Sequence, residues 1–176
     1  ESLVLDLRSN GGGSLEEAIK LTGLFIPAGP VVQAKDWRDN ITWRECENER
    51  AVYEGPMIVL RDKASASASE ILAAALQDTR RALVVGDKST FGKGTVQTIL
   101  PVERYMPFFS DKSRAGALKV TIQKFYRIAG GSTQLKGVVP DVILPSIRDV
   151  MDIGEASADN ALPYDEIPAR TYTYFR

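Results

Sequence analysis

The hydrophobic positions of this chain fall into short runs separated by glycine, proline and polar clusters. Leu3-Val-Leu-Asp-Leu7 runs into Asn10-Gly-Gly-Gly13, which predicts a buried strand ending in a loop whose glycines permit unusual backbone angles. Ser14 and Glu17 have the spacing of a capping box, and Ala18, Ile19, Leu21 and Leu24 recur behind them at helical intervals. The pattern predicts a helix that buries one face and stops before Pro27. Met57-Ile-Val-Leu60 and Ala82-Leu-Val-Val85 predict two further strands, with an Ala- and Leu-rich helix over about Ser69 to Thr79 between them. Strands alternating with helices indicate an α/β fold whose central sheet is largely parallel and flanked by helices on both faces.

The remaining segments are less regular. Lys35 to Arg50 is polar and charged, and reads as an exposed excursion or hairpin insert. Val96 to Leu100 and Leu118 to Tyr126 read as strands, the second alternating apolar Leu118, Val120 and Ile122 with polar Lys119, Thr121 and Gln123. Gly130-Gly131 marks a turn, and Val138 to Leu144, interrupted by Pro140, a short edge element. Residues 1–145 therefore read as one core and 146–176 as a tail segment.

Composition narrows the function. A chain of 176 residues that is 44% hydrophobic can bury one sizeable core. Its 22 basic and 23 acidic residues leave a net charge of -1, without the basic footprint expected of a nucleic-acid or anionic-lipid binder. No apolar stretch approaches the roughly 20 residues of a membrane-spanning helix. The chain starts at Glu1 and enters a strand at once, as expected for a piece of a longer polypeptide. Cys46 is the only cysteine, so an intrachain disulfide is excluded. With no histidine, a metal site would rest mainly on carboxylates, and no metal or other cofactor is expected.

The lack of histidine also constrains catalysis. A nucleophilic serine here cannot pass its proton to imidazole, and a lysine amine is the best remaining base. Ser65, Ser67 and Ser69 lie in the turn between a strand and a helix. Serine there is a favoured helix cap. The same turn also exposes a side chain beside the N–H donors and positive potential of a helix N-terminus. Ser69, nearest the expected helix start, is better placed to cap, and Ser67 to act as nucleophile; the residues alone leave the choice open.

Lys93 stands between Gly92 and Gly94. An exposed lysine titrates near 10.4 and cannot take a proton at neutral pH. As a base it must be desolvated, and the glycines permit the close packing that this requires. Gln97 can accept a hydrogen bond from the amine without adding charge. Glu70, in the first helical turn, suits the helix dipole and can order the serine loop. Asp78 lies 11 residues beyond Ser67, roughly 16 Å along a helix axis, too far for contact and suited to pairing with a basic group. Gly86 to Gly94 superficially suggests a phosphate loop. Five residues rather than four separate Gly86 from Gly92, and Gly94 stands where the magnesium-binding hydroxyl belongs, so no nucleotide is expected.

Several motifs in order resemble one known group: Leu5-Asp-Leu-Arg-Ser-Asn-Gly-Gly-Gly13, Ser65-Ala-Ser-Ala-Ser-Glu-Ile71, Gln77-Asp78, Arg81-Ala82, Phe91-Gly-Lys-Gly-Thr-Val-Gln97 and Gly137-Val-Val-Pro-Asp141. Together they are similar to the C-terminal processing, or tail-specific, serine/lysine peptidases, over about Leu3 to Leu144. The tail, Asp159 to Ile167, resembles the long periplasmic members of Gram-negative bacteria. The resemblance implies a crotonase-like α/β core with Ser67 as nucleophile, Lys93 as base and Gln97 as orienting amide. It implies an oxyanion hole from the Ala68 N–H and one N–H of the Gly11 to Gly13 loop, with Gly12 and Gly13 as candidates and the choice between them open. Glu70, Asp78 and Thr90 take supporting roles.

As substrates the resemblance implies proteins or peptides with apolar C-termini, captured by a PDZ domain or adaptor elsewhere in the parent chain, and a periplasmic location with membrane association through parts outside this chain. Asp87-Lys-Ser89 carries one residue more than the usual serine-to-lysine spacing, which a loop absorbs. Two other readings compete: a crotonase-like acyl-CoA enzyme, which needs the oxyanion hole but not Ser67 with Lys93, and a catalytically silent peptide-binding scaffold.

Overall fold

The computed structural model describes residues 1–105 and 115–175, so Arg176, the last residue of the expected tail, lies outside it. The first apolar run forms β1 (Leu3–Asp6) and the helix behind the glycine loop is α1 (Leu15–Gly23). Ser14 caps α1 by accepting from the Glu17 N–H at 3.3 Å. Next come β2 (Gly29–Asp36), β3 (Ile41–Cys46), β4 (Met57–Arg61), α2 (Ala68–Asp78), β5 (Leu83–Gly86), β6 (Thr95–Pro101), β7 (Ala117–Tyr126) and β8 (Val142–Ile143).

Two four-stranded sheets form. The first has the order β1-β4-β5-β8, and every pairing in it is parallel. It is the sheet expected from the alternation of strands and helices, with β8 at its edge. The second, in the order β3-β2-β7-β6, is antiparallel throughout. Helix α2 packs on α1, β2 and β5, and every residue from Ala68 to Leu76 is buried. Its alanines allow this close approach from several sides, as befits a helix enclosed by other elements.

Three expectations change. The 35–50 segment supplies the turn and second strand of a hairpin, as expected, but its first strand starts at Gly29 and is an inner strand, with Val31, Val32 and Ala34 buried. Pro30 and the polar Gln33 hid β2 from a pattern search. The alternation in β7 marks a strand correctly but not a core face: Leu118 is 58% and Ile122 42% exposed. Finally, α2 covers one face of the parallel sheet, while Val4, Ile58 and Leu83, aligned across three strands, stay exposed. Among the described residues that sheet is therefore covered on one face only.

The tail lies along the core. Asp165 accepts hydrogen bonds from Lys35, Lys124 and the Tyr126 hydroxyl. The Ile167 N–H donates to Gly130 O at 2.9 Å, and the Phe175 N–H to Thr79 O at 2.8 Å. Among the described residues no helix is long and apolar enough to cross a membrane.

Leu76 and Leu83 test this layering. Leu76 is 0% and Leu83 45% exposed. In urea unfolding Leu76→Ala is expected to cost about 2–5 kcal/mol and Leu83→Ala less than half of that. Equal costs would show that the outer face of the parallel sheet is packed.

Candidate active site

The site grows from the turn between β4 and α2. Asp62, 2% exposed, closes it by accepting from the Ala64 N–H at 3.0 Å and from the Ser9 N–H at 2.9 Å. An aspartate that bonds the backbone two residues on is a familiar turn signal; it could have been read from the sequence and was missed. The Arg148 guanidinium also bonds Asp62. These backbone and arginine partners hold the Asp62 carboxyl below the usual carboxylate range despite its burial.

The three serines then separate. Ser65 is fully buried, its hydroxyl accepting from the Asp62 N–H and donating to Leu7 O at 2.8 Å. Ser69 is 4% exposed and lies inside the first turn of α2. The helix begins one residue earlier than expected, so Ser67 rather than Ser69 occupies the cap position, where its backbone and that of Glu70 are tied together, the Glu70 N–H donating to Ser67 O at 2.9 Å. Ser67 has φ 58° and ψ -117°, an uncommon conformation for any residue but glycine and one that surrounding structure must hold.

Two features hold it. Gly12, at φ +93°, packs so tightly that a Cβ there would stand 2.8 Å from both the Ser67 Cβ and the Ala68 N, and 2.5 Å from Ala66 O. Only glycine fits. Behind the turn, Glu70 Oε2 accepts from the Ser67 N–H at 2.7 Å. The same carboxylate takes the Lys93 N–H at 3.0 Å, the Gly92 N–H at 2.7 Å and the Thr90 hydroxyl at 2.5 Å. Thr90 in turn accepts from the Val138 N–H at 2.7 Å, so its hydroxyl hydrogen is available to Glu70. Burial pushes the Glu70 carboxyl up to about 7, against the pull of all four donors. Those donors occupy both oxygens, an arrangement that satisfies the anion and leaves a bound proton without an acceptor.

Ser67, Ala68, Lys93, Gln97 and Gly13 line one cleft of about 350 Å³ with Leu15, Ile71, Val96, Ile99, Phe125 and Lys119. Lys93 Nζ donates to Gln97 Oε1 at 3.1 Å, and no hydrogen bond joins Nζ to the Ser67 hydroxyl. Burial is the main cause that lowers the Lys93 pKa, aided by the positive charge of Lys119 and opposed by Glu155 and Glu70. Lys119 had no signal in the sequence beyond its place in an alternating strand. Gly12 donates its N–H to Asn10 Oδ1 at 3.0 Å. Asp78 lies apart, bonded to the Arg127 guanidinium.

A sequence model of peptidase family S41 matches residues 1–144. The chain belongs to peptidase family S41. The chain is 50% identical over 174 residues to a tail-specific protease of Haemophilus influenzae, covering 98% of this chain and 24% of that protein. It is 42% identical over 142 residues to a carboxy-terminal-processing protease of Bartonella bacilliformis, covering 80% of this chain and 30% of the relative. The S41 core also resembles the solved photosystem II D1 C-terminal processing protease, with a TM-score of 0.68 and 33% identity over 81% of this chain and 34% of that one. The chain thus spans about a quarter to a third of these proteins.

The Glu70 arrangement predicts the effect of neutralising it. Glu70→Gln places an amide nitrogen, itself a donor, against N–H groups, and is expected to cost about 1–3 kcal/mol in urea unfolding and to slow acylation of Ser67 by a serine-directed reagent. Unchanged stability and labelling would show that the carboxylate does not organise the turn.

Proposed function

We propose that this S41 core belongs to a serine endopeptidase that cleaves proteins selected through an apolar C-terminal tail, with Ser67 as nucleophile and Lys93 as base. The observation that carries the reading is Ser67 itself, held at positive φ at the start of a buried helix and opening on the same cleft as a partly desolvated lysine. Positive φ at a non-glycine residue is costly and concentrates at functional sites.

The chemistry follows from the groups in the cleft. The neutral Lys93 amine approaches Ser67 and takes the hydroxyl proton as Oγ attacks the scissile carbonyl carbon. Negative charge then develops on the carbonyl oxygen beside the Ala68 N–H at the N-terminus of α2. The Gly12 N–H is already given to Asn10, and Gly13 lines the cleft, which favours Gly13 as the second donor. The lysine ammonium returns its proton to the leaving amine, forming an ester on Ser67. Water attacks that ester with Lys93 again as base, restoring the hydroxyl. Gln97 directs the amine without a charge that would strengthen its hold on a proton.

Leu15, Ile71, Val96, Ile99 and Phe125 give the cleft an apolar wall, which suits apolar peptide segments. Capture of the tail by a PDZ domain or adaptor, and a periplasmic site of action, follow from the family resemblance.

Serine-directed acylation of the whole protein tests the dyad. Label is expected on Ser67, to vanish in Ser67→Ala and to fall by at least about 100-fold in Lys93→Ala. Lys93→Arg is expected to be equally inactive, because a guanidinium stays protonated; turnover in that variant would remove the lysine from its role. A lowered amine pKa means that the active neutral form appears as pH rises. Activity is therefore expected to climb to a plateau with a midpoint below the ordinary lysine value of 10.5, and a midpoint at or above that value would contradict a desolvated base.

A further inference from the structure

The loop that carries Lys93 is held from the helix side by Glu70 and from the opposite side by a buried amide outside the cleft. Gln134 is 0% exposed. Its Oε1 accepts from the Gly94 N–H at 2.8 Å, and its Nε2 donates to Leu162 O at 3.0 Å and to Glu155 Oε1 at 3.2 Å. Both N–H donors of the amide and one acceptor position of its oxygen are therefore used. The neighbours of Gln134 grip the same loop: the Thr133 hydroxyl donates to Lys93 O at 3.1 Å, and the Leu135 N–H to Gly92 O at 2.8 Å. The tail adds a direct contact, the Glu155 N–H donating to Phe91 O at 2.9 Å.

Orientation is the point of the Gln134 contacts. An amide can turn about its last bond and exchange oxygen for nitrogen. The exchanged form would set an N–H donor against the Gly94 N–H and leave a buried donor unpaired. The two tail acceptors, Glu155 Oε1 and Leu162 O, select the form that receives Gly94. Only glycine fits at position 94 of this contact, because a Cβ there would stand 2.6 Å from Ser132 Oγ and 2.7 Å from Gln134 N.

We propose that Gln134 is a positioning residue for Lys93, and that the tail at Glu155 and Leu162 sets the base by orienting this amide. The tail is then a strap on the lysine loop as well as a covering of the core. The inference rests on Lys93 being the base. The charged groups that act on the Lys93 amine are Lys119 from β7, which lowers its pKa, and Glu155 from the tail and Glu70 from α2, which raise it; the Glu155 charge is lost alike in Glu155→Ala and Glu155→Gln, so comparing the two isolates its hydrogen bond to Gln134.

The test compares Gln134→Leu, Glu155→Ala and Glu155→Gln in the whole protein, following both the rate and the final extent of Ser67 acylation by a small serine-directed reagent, which bypasses tail capture. Gln134→Leu is expected to slow acylation by about 10- to 100-fold while labelling reaches the full extent, because the molecules are folded but their base is misplaced. Glu155→Ala is expected to slow it by a smaller factor. Glu155→Gln, whose side-chain oxygen still accepts from Gln134, is expected to recover most of that loss. A normal rate in Gln134→Leu overturns the proposal, as does a reduced extent at normal rate, which would mark a purely structural role. Failure of Glu155→Gln to improve on Glu155→Ala removes the tail from the assignment. Lys93→Ala labelling at the wild-type rate would instead sink the dyad on which the proposal rests.

Discussion

One buried carboxylate ties the site together. Glu70 sits in the first turn of α2, is 0% exposed, and receives donors from the serine turn, the lysine loop and Thr90. Without those donors a charge in that position would be expensive. With them it becomes a bracket: the backbone of Ser67 and the backbone of Lys93 reach the same oxygen atom, so the two segments share a reference point. The uncommon φ of Ser67 follows, because Gly12 on one side and Glu70 on the other leave its backbone few alternatives. The helix dipole, which favours a negative group at this end of α2, works in the same direction.

Several charged groups gather around this bracket. Arg61, at the end of β4, is 1% exposed, and its guanidinium nitrogens make no hydrogen bond among the described residues. Burial pulls its pKa down to about 10, and the charges of Asp87, Asp62, Glu70 and Asp149 oppose that fall. Field interactions thus take the place of direct pairing and offset part of the desolvation cost. The result is a mixed-charge layer beneath the serine turn, in which carboxylates organise backbone. The cleft itself carries the two lysines, Lys93 and Lys119. Their mutual repulsion favours the neutral amine, which is the state a base requires.

The layering explains how such a layer survives. Helix α2 lies between the parallel and antiparallel sheets, so its N-terminus is surrounded by loops from both: the glycine loop after β1, the lysine loop before β6 and the 132–135 segment after β7. Each loop is short and tied at several backbone positions, which limits the freedom that would otherwise blur the site. The tail completes the enclosure at Phe91 and Gln134. Ser67 and Lys93 are therefore placed by contacts from much of the chain.

Local pattern carried a large share of this. The apolar runs and glycine stops located β1, β4, β5 and both helices, because backbone periodicity is encoded over a few neighbouring residues. The lack of histidine excluded an imidazole base and left a lysine amine as the best remaining candidate, and the Ser-Ala repeat marked the turn. Helix α2 could not be seen as a central, enclosed element, nor β2 as an inner strand, since burial depends on partners distant in sequence. The choice among Ser65, Ser67 and Ser69 was likewise beyond local reading: it turns on which hydroxyl the fold consumes and which it leaves facing the cleft. By itself the sequence determined most of the strands and both long helices, the available hydroxyl groups and the exclusion of an imidazole base. The tertiary structure decided which serine lines the cleft that holds the lysine, how far that amine is dried, and which loops share Glu70, because desolvation and hydrogen-bond geometry exist only once remote segments have packed.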